Sequence, residues 1–110
     1  MRVVIQRVIS AELLVDNKFY SKIGNGLVVL VAVSKHDTKE DINWIANKLV
    51  NLRIFSDKNN QMNFSVSDVD GDIMIISQFT LYASTKKGNR PSFLESASGH
   101  FAEKLYLEFI

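Results

Sequence analysis

The apolar positions fall first into short runs of strand character. Val3-Val4-Ile5 and Val8-Ile9 flank the polar pair Gln6-Arg7, and Ala11-Glu12-Leu13-Leu14-Val15 precedes the turn residues Asp16-Asn17-Lys18. Two strands and a turn are predicted, because β-branched runs bounded by Asp and Asn fit a pleated strand that ends in a tight reversal. Phe19 to Ile23 reads as a further short strand ending at Gly24-Asn25-Gly26. From Leu27 to Val33 the chain is apolar without alternation, the pattern of a strand covered on both faces.

The period then changes. Asp37 or Thr38 can cap a helix whose first turn carries Glu40 and Asp41, acids that suit the positive helix end. Ile42, Ile45, Ala46, Leu49 and Val50 follow at i, i+3, i+4, i+7 and i+8, an amphipathic helix of about three to four turns. Asn51 to Phe55 leaves it as a strand or extended segment, and Ser56 to Asn60 is a polar turn. Asp70-Gly71-Asp72 turns the chain into Ile73-Met74-Ile75-Ile76, a second buried-type strand, which Ser77 to Leu81 continues from its C-terminal end. Ser84 to Arg90 reads as an exposed loop, with Pro91-Ser92 leading into helical turns. Phe101, Ala102, Leu105 and Phe109 mark a last helix. No repeat or linker interrupts this order, so one α/β domain over residues 1–110 is expected.

Composition narrows the classes. With 46% apolar residues in 110, the chain can build one core and is not disordered, and its longest apolar run is too short to cross a bilayer. It has no cysteine, which rules out a disulfide scaffold, a thiolate nucleophile and a thiolate metal site, and fits a cytoplasmic location. The opening MRVVIQRVIS lacks the apolar stretch and cleavage site of a secretory signal. A net charge of +1 argues against holding nucleic acid by bulk electrostatics. The distribution says more: seven of the twelve acids lie between Asp37 and Asp72, whereas Ile73 to Leu94 contains none and carries Lys86, Lys87 and Arg90. Those three cations form a local face suited to phosphates, or else a loop kept soluble by solvated charges.

Little of the sequence offers chemistry. His36 and His100 are far apart and lack ligands at a familiar spacing, so they read as surface histidines and no metal site is expected. The glycine turns are too short for a phosphate-binding fingerprint, and no G-x-S-x-G elbow exists. What remains is Ser77-Gln78-Phe79-Thr80-Leu81, two hydroxyls and an amide where a buried strand leaves the core. Such groups are costly to bury unpaired, so they orient a ligand or are satisfied by neighbouring backbone; none is a strong general base. Arg7, between apolar strand segments, is either paired at an interface or a solvent-facing strand residue.

Ser77-Gln78-Phe79-Thr80-Leu81-Tyr82, followed by Thr85-Lys86-Lys87-Gly88-Asn89-Arg90-Pro91-Ser92-Phe93, resembles the signature of the D-aminoacyl-tRNA deacylases. Met1 to Val8, Gly24 to Val33, the Asp37-Thr38 helix start and Asn51 to Phe55 match that family in order and approximate spacing, so the resemblance covers essentially the whole chain. It implies a mixed, strongly curved, barrel-like β-sheet with two principal helices, assembled as a homodimer with active sites at the subunit interface. The implied substrate is a tRNA mischarged with a D-amino acid or with glycine, and no metal or organic cofactor is implied. Ser77, Gln78, Phe79 and Thr80 occupy the family's active-site motif and are expected to hold the aminoacyl group and terminal adenosine, although Phe79 also suits a core anchor. Lys86, Lys87 and Arg90 would lie near the tRNA's phosphates, with Arg7 a secondary binding candidate. Thr80 is either a nucleophile or a positioning group beside the RNA's own 2′-hydroxyl. The second is favoured because no histidine, lysine or carboxylate adjoins Thr80 in sequence.

One departure stands out. The family's C-terminal Asn-x-Gly-Pro-Val-Thr motif, whose cis Gly-Pro reaches into the partner's pocket and rejects L-amino acids, has no counterpart: the single proline is Pro91, preceded by Arg90. The Gly-x-Phe-Gly-Ala strand segment is missing too. Roughly one quarter of a usual family member is thereby absent, in keeping with a last helix that stops uncapped at Ile110. Either the sequence continues in the complete protein or the protein is shortened, and these 110 residues alone are expected to deacylate weakly or without chirality. The rival readings are a shortened module that binds tRNA ends or a protein without turnover, and a purely structural dimerisation unit.

Overall fold

The apolar runs become strands and the 3.6-residue stripes become helices. The computed structural model describes all 110 residues. In chain order they form β1 (Arg2–Val8), β2 (Ala11–Val15), β3 (Lys18–Ile23), β4 (Gly26–Ala32), α1 (Lys39–Asn51), β5 (Phe55–Ser56), β6 (Met62–Phe64), β7 (Asp72–Ser77), a 3₁₀ turn (Phe79–Tyr82) and α2 (Gly99–Phe109). β1, β4 and β7 make a three-stranded sheet in the order β1-β4-β7; β2 pairs antiparallel with β3, and β5 with β6.

The single barrel-like sheet expected from the sequence is therefore replaced by three sheets, none closed on itself. The tight Asp16-Asn17 turn, both residues at positive φ, folds β2 onto β3 alone, and a register shift between Leu13 and Leu14 breaks their ladder. β5 and β6 are two and three residues long. Such short and bulged strands cannot supply the continuous ladder that closure needs.

Two compact units are distinguishable: Met1–Val4 with Leu30–Ala46 and Ile76–Ile110, and Ile5–Val29 with Asn47–Ile75. β1, β4, β7 and α1 each run through both.

In the first unit Val31, Ala32, Val33, Ile42, Leu105 and Phe109 are buried. α1 starts just after Thr38, which donates through its backbone N–H and its hydroxyl to the Asp41 carboxylate in the first turn (2.7 and 3.1 Å). These bonds, the backbone one first, hold Asp41 below the usual carboxylate range. The Asp37 carboxylate accepts from the Ser34 N–H at 2.7 Å and from the Met1 ammonium. Ala97 N–H donates to Val33 C=O at 2.9 Å, tying the segment before α2 to the end of the β4 run. Pro91-Ser92 does not enter a helix: Ser92 pairs in extended form with Ser84, and α2 starts only at Gly99.

In the second unit the core is Leu27, Val29, Leu49, Phe55, Val66 and Met74. Gly26 is required there. A Cβ on it would lie 1.9 Å from the carbonyl oxygen of Asp72, whose own N–H donates to Asn25 C=O at 3.0 Å. Ser65 and Asp68 bond reciprocally, backbone N–H to side-chain oxygen, at 2.9 and 3.2 Å. The Ser65 N–H is the main reason the Asp68 carboxyl lies below its usual range.

Candidate active site

Ser77 is the last residue of β7, and the chain turns at once into the 3₁₀ turn. The Gln78 N–H donates to Val31 C=O at 2.7 Å, and Leu81 N–H and Ala83 N–H close back on the carbonyls of Gln78 (3.2 Å) and Thr80 (3.0 Å). This winding separates the motif's side chains. Ser77 and Phe79 face one cavity, whereas the Gln78 side-chain amide donates to the Thr80 hydroxyl. The pair is half-buried and matters chemically, because an amide N–H cannot accept a proton from a hydroxyl.

The cavity beside Ser77 and Phe79 measures about 570 Å³. Phe79 forms one wall with Phe93, ring centroids 5.2 Å apart and planes at 68°, an edge-to-face pair. Phe79 is 56% exposed, so it is not the core anchor that the sequence also allowed. The opposite wall is α2, through Gly99, Ala102, Glu103 and Tyr106. Sequence reasoning missed Phe93, Glu103 and Tyr106. The signal was there: Gly99, Ala102, Glu103 and Tyr106 recur at i, i+3, i+4 and i+7, a second face of the helix beside its buried stripe.

In the same unit the Arg2 guanidinium donates to Leu81 C=O at 2.5 Å and lies 4.5 Å from the centroid of the Tyr82 ring. Burial, followed by the nearby Asp37 charge, pushes the Tyr82 phenol above its ordinary value.

Lys86, Lys87 and Arg90 lie in an exposed loop whose ends are clamped by two backbone hydrogen bonds between Ser84 and Ser92 (2.8 and 2.9 Å). Gly88 at its tip has a φ of 94°, which a side chain would resist. Arg7 belongs to the other unit. It is exposed, donates to Ile54 C=O at 2.5 Å, and lines a different cavity of about 580 Å³ with Gln6, Ile9, Asn25 and Met62. His36 and His100 are exposed. No three His, Asp or Glu side chains come together as a metal-binding group, and no helix is long and apolar enough to cross a membrane.

At the end of β7, then, the Ser77 hydroxyl and the Phe79 ring face a cavity, and the Gln78 amide and the Thr80 hydroxyl pair beside it. The family model described as D-Tyr-tRNA(Tyr) deacylase matches residues 4–110. The chain is 51% identical over 110 residues to a D-aminoacyl-tRNA deacylase of Flavobacterium psychrophilum and 54% identical to one of Thermosipho africanus, spanning all of this chain and 73% and 74% of those proteins. Among solved structures it resembles the c-Myc DNA unwinding element binding protein (TM-score 0.92, 36% identity, 99% of this chain and 73% of that one). It also resembles a structure described as a probable eukaryotic D-amino acid tRNA deacylase (TM-score 0.85, 25% identity, 97% of this chain and 63% of that one). The chain belongs to the D-Tyr-tRNA(Tyr) deacylase family, a family of hydrolases.

Proposed function

We propose that this protein hydrolyses the ester joining a D-amino acid to tRNA, releasing the amino acid and free tRNA as a proofreading step of translation in the cytoplasm. Glycyl-tRNA, whose amino acid is achiral, belongs to the same substrate class. The observation that carries the proposal is the Ser77–Thr80 segment, which in a chain of this family opens beside a cavity walled by Phe79, Phe93 and α2. Ser77 and Phe79 hold the aminoacyl end there, and Gln78 and Thr80 fix the shape of the turn. The N–H groups of Phe79 and Thr80 have no carbonyl to bond inside the 3₁₀ turn and suit a developing oxyanion. Thr80 serves as a positioning group, since its side-chain partner is an amide donor rather than a base. The terminal adenosine's 2′-hydroxyl then takes part in the chemistry while the protein orients the ester.

Lys86, Lys87 and Arg90 supply phosphate contacts, and Arg7 is a second candidate contact. Residues 1–110 act as one domain, because four elements run unbroken through both units. Two copies assemble with the site at their interface. Ile9, Tyr20 and Leu94, exposed at 89%, 71% and 80%, are large apolar side chains that a second copy would cover.

The test is release of labelled tyrosine from D-Tyr-tRNA and L-Tyr-tRNA, with light scattering to give the mass in solution. Release from the D-substrate well above spontaneous hydrolysis supports the proposal. Retained tRNA binding with no release would replace it with the binding-module reading, and a monomeric mass would remove the dimer.

A further inference from the structure

Lys86, Lys87 and Arg90 sit in an exposed loop, and none of them lines the cavity. Both stems of that loop nevertheless end on the walls of the site. The first stem, Ser84, is separated from the 3₁₀ turn by Ala83 alone, whose N–H donates to Thr80 C=O at 3.0 Å. The second stem, Ser92, runs straight into Phe93, whose C=O accepts from the Ser96 N–H at 3.0 Å. Phe93 and Ser96 both line the cavity. Two backbone hydrogen bonds between Ser84 and Ser92 (2.8 and 2.9 Å) fasten the stems together, so a displacement of the loop is shared by both.

Phe79 is the wall residue with room to respond. Its ring is more than half exposed and has one aromatic partner, Phe93, met edge to face with centroids 5.2 Å apart. Such a pair has a preferred geometry, because the positive edge of one ring seeks the negative face of the other. Moving Phe93 therefore moves the preferred position of the Phe79 ring. Coupling between separated sites is carried by packed side chains in contact, and here one ring pair joins the base of the loop to the motif.

We propose that Phe93 is a positioning residue: tRNA backbone held on the Lys86–Arg90 loop fixes Phe93, Phe93 fixes the Phe79 wall, and the ester is cleaved faster on a whole tRNA than on a fragment. This rests on the hydrolytic reading above and on its assignment of the loop to phosphates. Phe93 acts through Phe79 and touches no bond that is made or broken. The remote part of the substrate thereby helps to orient the ester, in the way that binding far from a reacting centre raises kcat.

Phe93→Leu keeps an apolar side chain and removes the ring, and Phe93→Tyr keeps the ring; circular dichroism checks that both are folded. Single-turnover rates at saturating enzyme are measured for D-Tyr-tRNA and for D-tyrosine esterified to adenosine. The wild type is expected to favour the tRNA by roughly three- to ten-fold, the size of one edge-to-face pair. F93L brings the two rates within about two-fold, while the enzyme concentration that half-saturates D-Tyr-tRNA holds, and F93Y keeps the preference. A general loosening of the fold would lower both rates and leave their ratio alone. Replacing Lys86, Lys87 and Arg90 by Gln lowers the same ratio, and adding F93L lowers it no further, because the two changes cut one connection.

A second readout needs no hydrolysis. The protein is labelled with para-fluorophenylalanine, its Phe79 resonance is identified by Phe79→Leu, and tRNA trimmed of its terminal CCA is added. That RNA carries backbone for the loop and no terminal adenosine for the cavity. The Phe79 fluorine resonance is expected to shift in the wild type and to stay in place in F93L, which still binds the RNA. A preference for tRNA that survives in F93L or is absent from the wild type overturns the proposal even if D-Tyr-tRNA is hydrolysed. So does a Phe79 resonance that the RNA leaves unmoved in the wild type or still moves in F93L. A shift lost in F93L with no ester release by the wild type supports the coupling and overturns the hydrolytic reading instead.

Discussion

Thr80→Val separates the two roles open to the motif's second hydroxyl. The substitution keeps a β-branched side chain of the same shape and deletes the oxygen to which the Gln78 amide donates. That amide is half-buried, so losing its partner costs about 1–3 kcal/mol of stability. The catalytic effect depends on what the hydroxyl does. If it only steadies the turn, the loss is one neutral hydrogen bond, about 0.5–1.5 kcal/mol, and kcat/KM falls about ten-fold or less. If it attacks the ester, the loss runs to about ten-thousand-fold or more, as for other nucleophiles removed from a concerted site. The assay is single-turnover release of tyrosine from D-Tyr-tRNA at a temperature where both proteins are fully folded, with Thr80→Ser alongside. We expect Thr80→Val to retain at least about a tenth of wild-type activity. A loss beyond about a thousand-fold in folded Thr80→Val, restored by Ser, would make Thr80 the nucleophile and sink the positioning argument.

Gly26→Ala should cost about 2–4 kcal/mol, because the new Cβ would sit 1.9 Å from Asp72 C=O and must break the hydrogen bond from Asp72 N–H to Asn25. Gly24→Ala is the control: its Cβ meets nothing nearer than 3.9 Å, and urea denaturation should show a change of less than about 1 kcal/mol. Replacing Lys86, Lys87 and Arg90 together by Gln should weaken tRNA binding and flatten the dependence of log K on log salt by roughly two units; an unchanged slope removes the loop from the interface. Asp41, Asp57 and Asp68 are each held below the ordinary carboxylate value, chiefly by the backbone N–H groups of Thr38, Gln61 and Ser65. A depressed folded-state pKa adds stability that is complete above the unfolded value and is lost as pH falls through the folded one. Stability should therefore decline on acidification below roughly pH 4, and the decline should be shallower in Asp68→Asn; identical acid-unfolding curves would contradict this.

Much of the architecture was legible because local pattern and tertiary environment agreed. The unbroken Leu27–Val33 run became β4 and its extension, buried almost throughout, and the stripe from Ile42 to Leu49 became the inner face of α1, although Val50 at its end stays exposed. Asp16-Asn17 turned the β2–β3 hairpin where its residues tolerate positive φ. β6 went unread because Met62–Phe64 is too short to show a period and gains its place only by pairing with Phe55 and Ser56. Sequence alone thus determined the main strands and the two helices, the missing thiol chemistry and the motif Ser77–Thr80, because these depend on residue identity and spacing within a few residues. Only the tertiary structure decided that the strands divide among three sheets, that Gln78 turns to Thr80 while Ser77 and Phe79 turn to a cavity, and that Glu103 on α2 joins them. The meeting of α2 with the end of β7 joins residues more than twenty apart in the chain, and the Gln78–Thr80 bond depends on the winding of the 3₁₀ turn; no period in the sequence encodes either.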